Sequence, residues 1–427
     1  MFNQKEKMKY KILGFCLFLI TQLSVKAQSL ENESITIGSK ETFHSDILNE
    51  ERLIFIHTPN NYHQMDNIPL VFVLDADSQF NQTASTIDYI SNGAQGNDII
   101  PSSIVIGITN PNRNYDFTPV KGMIGLDSIS ISNTGGASKF LSFITDELIP
   151  HLDSMYNTCR NRTIIGHSLG GLFVFHALLN KPEYFDNYLA IDPAIGFSDG
   201  IYLDKVLKAF DRIDFSSENL YFASADNRPK GMSDEELEKT SHQFLFNTDK
   251  SHLVFQNHKK SSHWKINLRT VHYPHENHYS VPFRATFDGM KFFYNYYKFN
   301  EMSDLFFTAN SNSEIDMVNK LKKHYKIISE NMGCKAKPQL GFLNSWAWGY
   351  GEDSRTRETA HDMFLYSIEL YPHLPETYSN YGYFLYSKGD YSEAIKQYDK
   401  SLGIKLDDSI LDFKNEIINE MTKHNNR

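Results

Sequence analysis

The chain has little cysteine and no excess of positive charge. Three cysteines occur in 427 residues, which is too few for a disulfide framework or a zinc ribbon. Lysine and arginine (42) are outnumbered by aspartate and glutamate (52), so the sequence predicts none of the basic faces that bind nucleic acid. After the first 28 residues, no apolar run is long enough to span a membrane. These absences argue against a small disulfide-stapled protein, a nucleic-acid-binding protein and a membrane span after residue 28.

The composition that remains is that of an ordinary globular protein. Hydrophobic residues make up 41% of the chain and charged residues 22%. The length is enough for about two or three domains. Cys159 and Cys334 are far apart in sequence, so we expect free buried thiols, with a single bridge between them as the alternative.

Residues 1–28 have the pattern of a secretory signal peptide. Four lysines lie within residues 5–11, an apolar stretch fills residues 12–23, and Val25 and Ala27 supply the small side chains of a cleavage site. The apolar stretch is short for a membrane span, although an uncleaved anchor is the alternative. The sequence therefore predicts export, most simply to the periplasm, without membrane insertion after cleavage.

Apolar runs that alternate with helical patterns predict a mostly parallel sheet covered on both faces, as in a doubly wound α/β-hydrolase. Residues 34–57 predict two antiparallel edge strands. The further strands are predicted at residues 69–74, 103–108, 162–166, 187–191, 219–223 and 264–273, and the helices at 80–91, 138–156, 169–180, 202–212, 233–247 and 282–298. In such sheets the ligand lies at the carboxyl ends of the strands.

After about residue 300 the pattern is helical only. Ala360 and Phe364 recur as Ala394 and Tyr398, an offset of 34 residues that is typical of tetratricopeptide repeats. We therefore predict a hydrolase domain at 29–300 and a small all-α domain at 301–427. The latter would hold two repeats, a preceding helix at 314–331 and a cap at 408–422. Such repeats suit a protein partner or self-association.

The candidate catalytic motif is Gly166-His167-Ser168-Leu169-Gly170. It directly follows a predicted strand and precedes a predicted helix, the context of a G-x-S-x-G nucleophile elbow. The tight turn would expose the Ser168 hydroxyl, and the amide of Leu169 would face a developing oxyanion. A glycine-serine turn without chemistry is the alternative.

A serine nucleophile needs a base, and His278 follows the last predicted strand, where the base of this fold class lies. A structural or metal-binding role for His278 is the alternative. The acid is predicted as Asp226, which follows the strand at 219–223. Asp192 and Glu276 compete with it, and a Ser–His dyad without an acid is a further alternative.

The loop after the strand at 69–74 would supply the second oxyanion donor, as a backbone amide near Ala76 or Asp77. Capping of the next helix by Asp75 and Asp77 is an equal alternative. Arg113 reaches the same rim and could bind a polar or anionic substrate group. An ion pair between Arg113 and Asp116 is the other interpretation.

These motifs together resemble the Putative esterase family of α/β-hydrolases, which includes ferric-enterobactin esterases and esterase D. The resemblance covers about residues 34–298 and is carried by a set of short motifs. They are Ser45-x-x-Leu48-Asn49-Glu50-x-Arg52, Leu74-Asp75, Arg113-x-x-Asp116-x-Thr118-Pro119, Gly135-Gly136-Ala137, the elbow with Gly171, and His278. The resemblance implies a serine hydrolase of carboxylic esters without metal or organic cofactor. Similar proteins carry Ser-Leu-Trp-Trp where this chain has Ala194-Ile195-Gly196-Phe197 after Pro193, so we expect an altered aromatic wall.

The sequence therefore predicts an exported serine esterase that acts on a small-molecule ester, siderophore-like or related. An acyltransferase of the same fold is one alternative, since a sugar or lipid hydroxyl could replace water. A catalytically vestigial scaffold that acts through its helical repeats is the other.

Overall fold

A mixed eight-stranded sheet organises the part of the chain that the structure describes. The structure is a computed structural model and describes residues 36–60, 62–93, 98–122, 133–301 and 316–425. The predicted signal peptide at 1–28 lies outside these residues. None of the described helices is both long and apolar enough to cross a membrane.

The strands run in the spatial order β1-β2-β4-β3-β5-β6-β7-β8. They are β1 Ser39–Ser45, β2 Glu50–His57, β3 Ile68–Leu74, β4 Ile104–Ile108, β5 Thr158–His167, β6 Asn187–Ile191, β7 Phe215–Ala225 and β8 Ile266–Tyr273. β2 is antiparallel to both β1 and β4, and β3 to β8 are mutually parallel. This is the doubly wound sheet that the sequence predicts, with every predicted strand present.

The helices between the strands also follow the prediction closely. Up to residue 301 they are α1 Ala76–Ser91, α2 Arg113–Phe117, α3 Ala137–Ser142, α4 Ile149–Met155, α5 Leu169–Asn180, α6 Ile201–Phe210, α7 Asp234–Glu238, α8 Gln243–Leu245, α9 Ser251–Ser261 and α10 Val281–Phe293. A π-helical turn, Phe143–Leu148, joins α3 to α4. The main departure is at residues 233–247, where the predicted single helix is broken into α7 and α8. A π-helical turn, Phe246–Lys250, then leads into α9. The sequence pattern did not predict α9.

The sheet has an apolar core on each face because successive side chains of a strand point to opposite sides. Val71 and Val73 of β3 face α1 and α10, whereas Leu70 and Phe72 face the other layer, which includes α5. Strands buried on both faces are the reason that β3 to β6 appear in the sequence as continuous apolar runs.

The chain after residue 316 is helical. Its helices are α11 Met317–Met332, α12 Leu340–Glu352, α13 Arg357–Leu370, α14 Pro375–Ser387, α15 Tyr391–Ile404 and α16 Asp408–Asn425. α12–α13 and α14–α15 form two successive helix pairs at the positions of the predicted repeats. This helical part shares one apolar core with α1 and α10, and residues from Ile37 onward form one compact unit.

A disulfide joins the two parts. Cys159 at the start of β5 is bonded to Cys334, which follows α11, with the Cα atoms 6.0 Å apart. The expectation of free thiols is therefore wrong. That expectation was based on the large separation of the two cysteines in the sequence. Packing of α11 against β5 brings them together although they are 175 residues apart.

Candidate active site

The elbow between β5 and α5 has the tight geometry that its glycines predict. Ser168 has φ 60° and ψ −117°, a conformation that L-residues adopt rarely and that is found mostly at functional sites. A Cβ on Gly166 would lie 2.2 Å from the Gly170 carbonyl oxygen, and one on Gly171 would lie 2.8 Å from Pro193. The turn therefore excludes side chains at both positions and leaves Ser168 at the carboxyl end of β5.

Backbone hydrogen bonds tie this elbow to the loop after β6. The amide of Ser168 donates to the carbonyl of Ile191 (2.9 Å), and the carbonyl of Ser168 accepts from the amide of Ala194 (3.0 Å). These two bonds lie on either side of Asp192, so the carboxylate of Asp192 is held beside the serine turn.

Asp192 is the acid that meets the histidine. His278 Nδ1 donates to Asp192 Oδ2 at 2.6 Å, and the amide of Ala225 donates to Oδ1 at 2.9 Å. Asp192 is fully buried. Burial by itself raises the pKa of Asp192, but the hydrogen bonds from His278 and Ala225 help to hold that pKa well below its ordinary value. Asp192 therefore stays an anion.

His278 lies five residues after the last residue of β8, in the loop beyond the last strand as predicted, and is 7% exposed. With Nδ1–H donated to the carboxylate, the neutral ring keeps its lone pair on Nε2, as a general base requires. The ring centroid lies 4.4 Å from that of His167, the residue before Ser168. Among the described residues, no hydrogen bond joins Ser168 Oγ to His278. Such bonds are often long before substrate binds.

His167 remains uncharged beside this base. Burial, followed by the positive charge of a protonated His278, lowers the pKa of His167 to about 3. A neutral neighbour does not compete with His278 for the negative charge of Asp192.

The structure does not bring the other predicted acids to the histidine. Asp226 accepts from Arg228 Nε at 3.1 Å, and Glu276 accepts from the Ser280 hydroxyl at 2.6 Å. Asp226 therefore does not contact His278, whereas Asp192, its competitor in the sequence prediction, does. Asp226 and Asn227 both follow the end of β7, and Asn227 contacts Asp192 while Asp226 pairs with Arg228 in its own loop.

Two helix N-termini lie side by side near Ser168. Leu169 begins α5 and Ala76 begins α1, and the preceding strands β5 and β3 are adjacent. A Cβ on Gly170 would lie 3.6 Å from Asp75 Oδ2. The first amides of a helix lack intrahelical partners and favour negative charge. The amides of Leu169 and of Ala76 or Asp77 are therefore placed at one edge, where the oxyanion donors are expected.

Arg113 braces this edge. Its Nε donates to both carboxylate oxygens of Asp75 (2.9 and 3.0 Å), and its Nη2 donates to the carbonyl of His167 (3.2 Å). Asp75 makes no side-chain cap on α1. Burial raises the pKa of Asp75, against the lowering effect of Arg113.

The predicted ion pair between Arg113 and Asp116 is wrong. Asp116 is instead bound by Arg52 at 2.8 Å. Two of the three Arg113 nitrogens hold the rim together, so the expected substrate contact remains a prediction for a side chain that is 34% exposed.

Sequence reasoning missed the polar groups behind the acid. Asn227 and His252 both approach Asp192, at 3.0 Å and 3.7 Å respectively. The only signal for Asn227 was its place after β7, and nothing in the sequence pointed to His252. Within the described residues, no group of three His, Cys, Asp or Glu side chains could hold a metal ion.

Comparison with known proteins fits this geometry. A family model described as Putative esterase matches residues 45–294, more than half of the chain. Ferri-bacillibactin esterase BesA of Bacillus subtilis (strain 168) is 32% identical over 187 residues, which cover 41% of this chain and 65% of the relative. Siderophore enterobactin esterase of Emericella nidulans is 38% identical over 102 residues, which cover 22% of this chain and 33% of the relative. The matches thus span less than two thirds of either relative.

Solved structures extend the likeness beyond the sheet. An IroE-like serine hydrolase from Shewanella oneidensis has a TM-score of 0.63 at 25% identity and covers 76% of this chain and 98% of its own. An uncharacterised protein from Capnocytophaga ochracea has a TM-score of 0.52 at 18% identity and covers 89% and 99%. The second likeness concerns the fold alone, and its coverage exceeds the region that the family model matches.

Proposed function

Because the chain belongs to the Putative esterase family, we propose that it is a carboxylic ester hydrolase that works through an acyl-enzyme on Ser168. In this proposal His278 is the general base and Asp192 the acid that orients it. The 2.6 Å contact between Asp192 and His278, beside a strained serine turn, carries the proposal. The chain order Ser168, Asp192, His278 is that of the α/β-hydrolases.

Acylation begins when Ser168 Oγ attacks the ester carbonyl carbon and gives its proton to His278 Nε2. The imidazolium is stabilised by Asp192, and the oxyanion accepts from the amides of Leu169 and of Ala76 or Asp77. The tetrahedral intermediate then collapses, the C–O bond to the alcohol breaks, and His278 returns the proton to the leaving alcohol.

Deacylation repeats these steps with water. Water loses a proton to His278 and attacks the acyl carbon, and Ser168 leaves with that proton while the carboxylic acid departs. No cofactor enters either half of the cycle.

Labelling with a fluorophosphonate tests the nucleophile. We expect one covalent adduct on Ser168 in the wild type and none in Ser168→Ala. Ser154→Ala serves as the matched control, because Ser154 is an exposed serine that donates only to the carbonyl of His151. Folded wild-type protein without an adduct on Ser168 would remove the acyl-enzyme.

We propose a siderophore-like ester as the substrate. Support comes from the names of the relatives and from two exposed aromatic rings at the mouth of the site. Phe244 and Tyr279 lie 5.1 and 5.3 Å from the His278 ring, and they are 38% and 87% exposed. Phe197, in the stretch where an altered wall was expected, is buried. Kinetics on ferri-bacillibactin, which the name of one relative gives as its substrate, and on a simple aryl ester tests this: equal kcat/KM for both would count against it.

We also propose that the protein is exported to the periplasm. The leader pattern at residues 1–28 and the disulfide support this, because structural disulfides persist in oxidising compartments. Mass spectrometry of the periplasmic fraction should find a mature chain that begins at Gln28. A full-length chain in the cytoplasm would oppose export.

A further inference from the structure

Asn227 lies behind the proposed triad and contacts two of its three members. Its Nδ2 donates to Asp192 Oδ2 at 3.0 Å, and its Oδ1 accepts from the backbone amide of His278 at 2.8 Å. One carboxamide therefore holds both the carboxylate and the chain segment that carries the imidazole.

Asp249 sets the orientation of that carboxamide. Asp249 Oδ2 accepts from Asn227 Nδ2 at 3.2 Å, and Oδ1 accepts from the backbone amide of Asn227 at 3.0 Å. The two protons of Asn227 Nδ2 thus meet two carboxylates, Asp192 and Asp249. A flipped amide would put its carbonyl oxygen against both anions, so only the observed orientation is favourable.

Asn227 binds the same carboxylate oxygen of Asp192 that holds the ring of His278. Asp192 Oδ2 accepts from both His278 and Asn227, whereas Oδ1 accepts from the amide of Ala225. The Asn227 bond fixes the direction of Oδ2, and a carboxylate free to turn about its last torsion would not hold the imidazole in one place.

Asp249 brings a separate segment of the chain into this arrangement. It is 6% exposed and lies in the π-helical turn Phe246–Lys250, within the connection between β7 and β8. Thr248 donates to the same Oδ2 at 2.8 Å. The carboxylate is therefore fixed by its own turn before it meets Asn227.

We propose that Asn227 is a positioning residue for the triad, and that Asp249 sets its orientation, so that the β7–β8 connection takes part in aligning the catalytic groups. This inference rests on the proposed roles of Ser168, Asp192 and His278.

Two substitutions separate hydrogen bonding from packing. Asn227→Ala removes the donor and the acceptor, whereas Asn227→Asp keeps the shape and the acceptor for the His278 amide but loses the donor. We expect kcat to fall about 10- to 100-fold in Asn227→Ala with KM nearly unchanged, as for the loss of a hydrogen bond to a charged group. Asn227→Asp should fall at least as far, because a third carboxylate then faces Asp192 and Asp249.

The pH profile gives a readout that a merely structural role would not move. With one donor fewer, Asp192 attracts the imidazolium of His278 more strongly. The acidic limb of kcat/KM should therefore shift to higher pH in Asn227→Ala. The other titratable groups that face this pair, His167, His252 and Asp249, remain in place, and loss of folded protein alone would lower the amplitude without moving the limb.

Asn247→Ala is the matched control. Asn247 is a buried asparagine of the same connection, 9% exposed, whose side chain accepts from Gln243 at 3.0 Å. It should leave kcat and the acidic limb unchanged. If Asn227→Ala does not fold, Asp249→Asn replaces it and should show a smaller loss of kcat in the same direction.

The outcomes distinguish this inference from the proposed function. Wild-type protein that neither turns over esters nor labels at Ser168 overturns both. Active wild type with Asn227 variants within about twofold of its kcat and an unmoved limb overturns the positioning role alone. An equal loss in Asn247→Ala also overturns it, because the effect would then come from the connection as a whole.

Discussion

Two buried aspartates in different regions of the molecule differ in their hydrogen-bond partners and in their pKa values. Asp192, beside the Ser168 turn, and Asp98, which contacts Tyr325 of α11, are 0% and 5% exposed. Asp192 accepts from His278, Asn227 and Ala225. Asp98 Oδ2 accepts from the Tyr325 hydroxyl at 3.3 Å, and Asp98 Oδ1 has no partner among the described residues.

The difference between the pKa values of Asp192 and Asp98 follows from the groups around each carboxylate and not from its burial, which is similar in the two. Burial raises the pKa of both groups, yet hydrogen bonds bring that of Asp192 below its ordinary value, whereas the pKa of Asp98 rises to about 7. Asp192 is therefore charged beside His278, whose imidazolium it would stabilise in the proposed cycle. At the contact with the helical part, a carboxyl group is instead neutral at mildly acidic pH.

Asp192→Asn should cause the greatest loss of activity. The change removes the charge that stabilises the imidazolium, so we expect kcat to fall about 10³- to 10⁴-fold, as in other Ser-His-Asp sites. Steady-state kinetics on an activated ester measures the effect, with circular dichroism as the check on folding. A loss below about tenfold would mean that Asp192 is not the acid.

The double variant Cys159→Ser, Cys334→Ser removes the disulfide between the two regions. We expect it to lower stability without lowering kcat. We expect the free energy of unfolding to fall by about 2–5 kcal/mol, because a long loop is no longer closed in the unfolded chain. The kcat should stay near that of the wild type, since Cys159 precedes Ser168 by most of β5, about 30 Å of extended chain. Urea unfolding and kinetics on the same samples test both statements, and a parallel loss of kcat would contradict the second.

Asp98→Asn should change how the stability of the protein depends on pH. The pKa of folded Asp98, about 7, lies above its ordinary 3.8, so the folded chain binds the extra proton and stability is lost as pH rises from about 4 to about 7. Asparagine mimics the protonated form. We expect the variant to be more stable than the wild type near pH 8, by about 1–4 kcal/mol, and similar near pH 4. Urea unfolding at both pH values decides, and identical pH dependence in the two proteins would refute this prediction.

The smallest expected effect is that of Asp226→Asn. Asp226 pairs with Arg228 in its own loop, so kcat should change less than about threefold. Kinetics beside Asp192→Asn makes the contrast, and a thousandfold loss in Asp226→Asn would restore the acid that the sequence analysis favoured.

Much of the fold followed from the sequence because the signals for it are local. Continuous apolar runs predicted β3 to β6, and the structure gives β6 and α5 the predicted bounds. The segment around Phe246–Lys250 was predicted poorly, since π-helical turns break the helical period on which the prediction depended.

The alternation of strands and helices, the serine turn and the place of His278 after the last strand can all be predicted from the linear pattern of residues. Each depends on periodicity or on glycines within a few residues. Three contacts could not be predicted in this way: Asp192 and not Asp226 contacts His278, Arg113 binds Asp75, and Cys159 bonds to Cys334. These choices depend on the directions of side chains at the ends of elements that pack together from distant parts of the chain, and a linear pattern does not encode those directions.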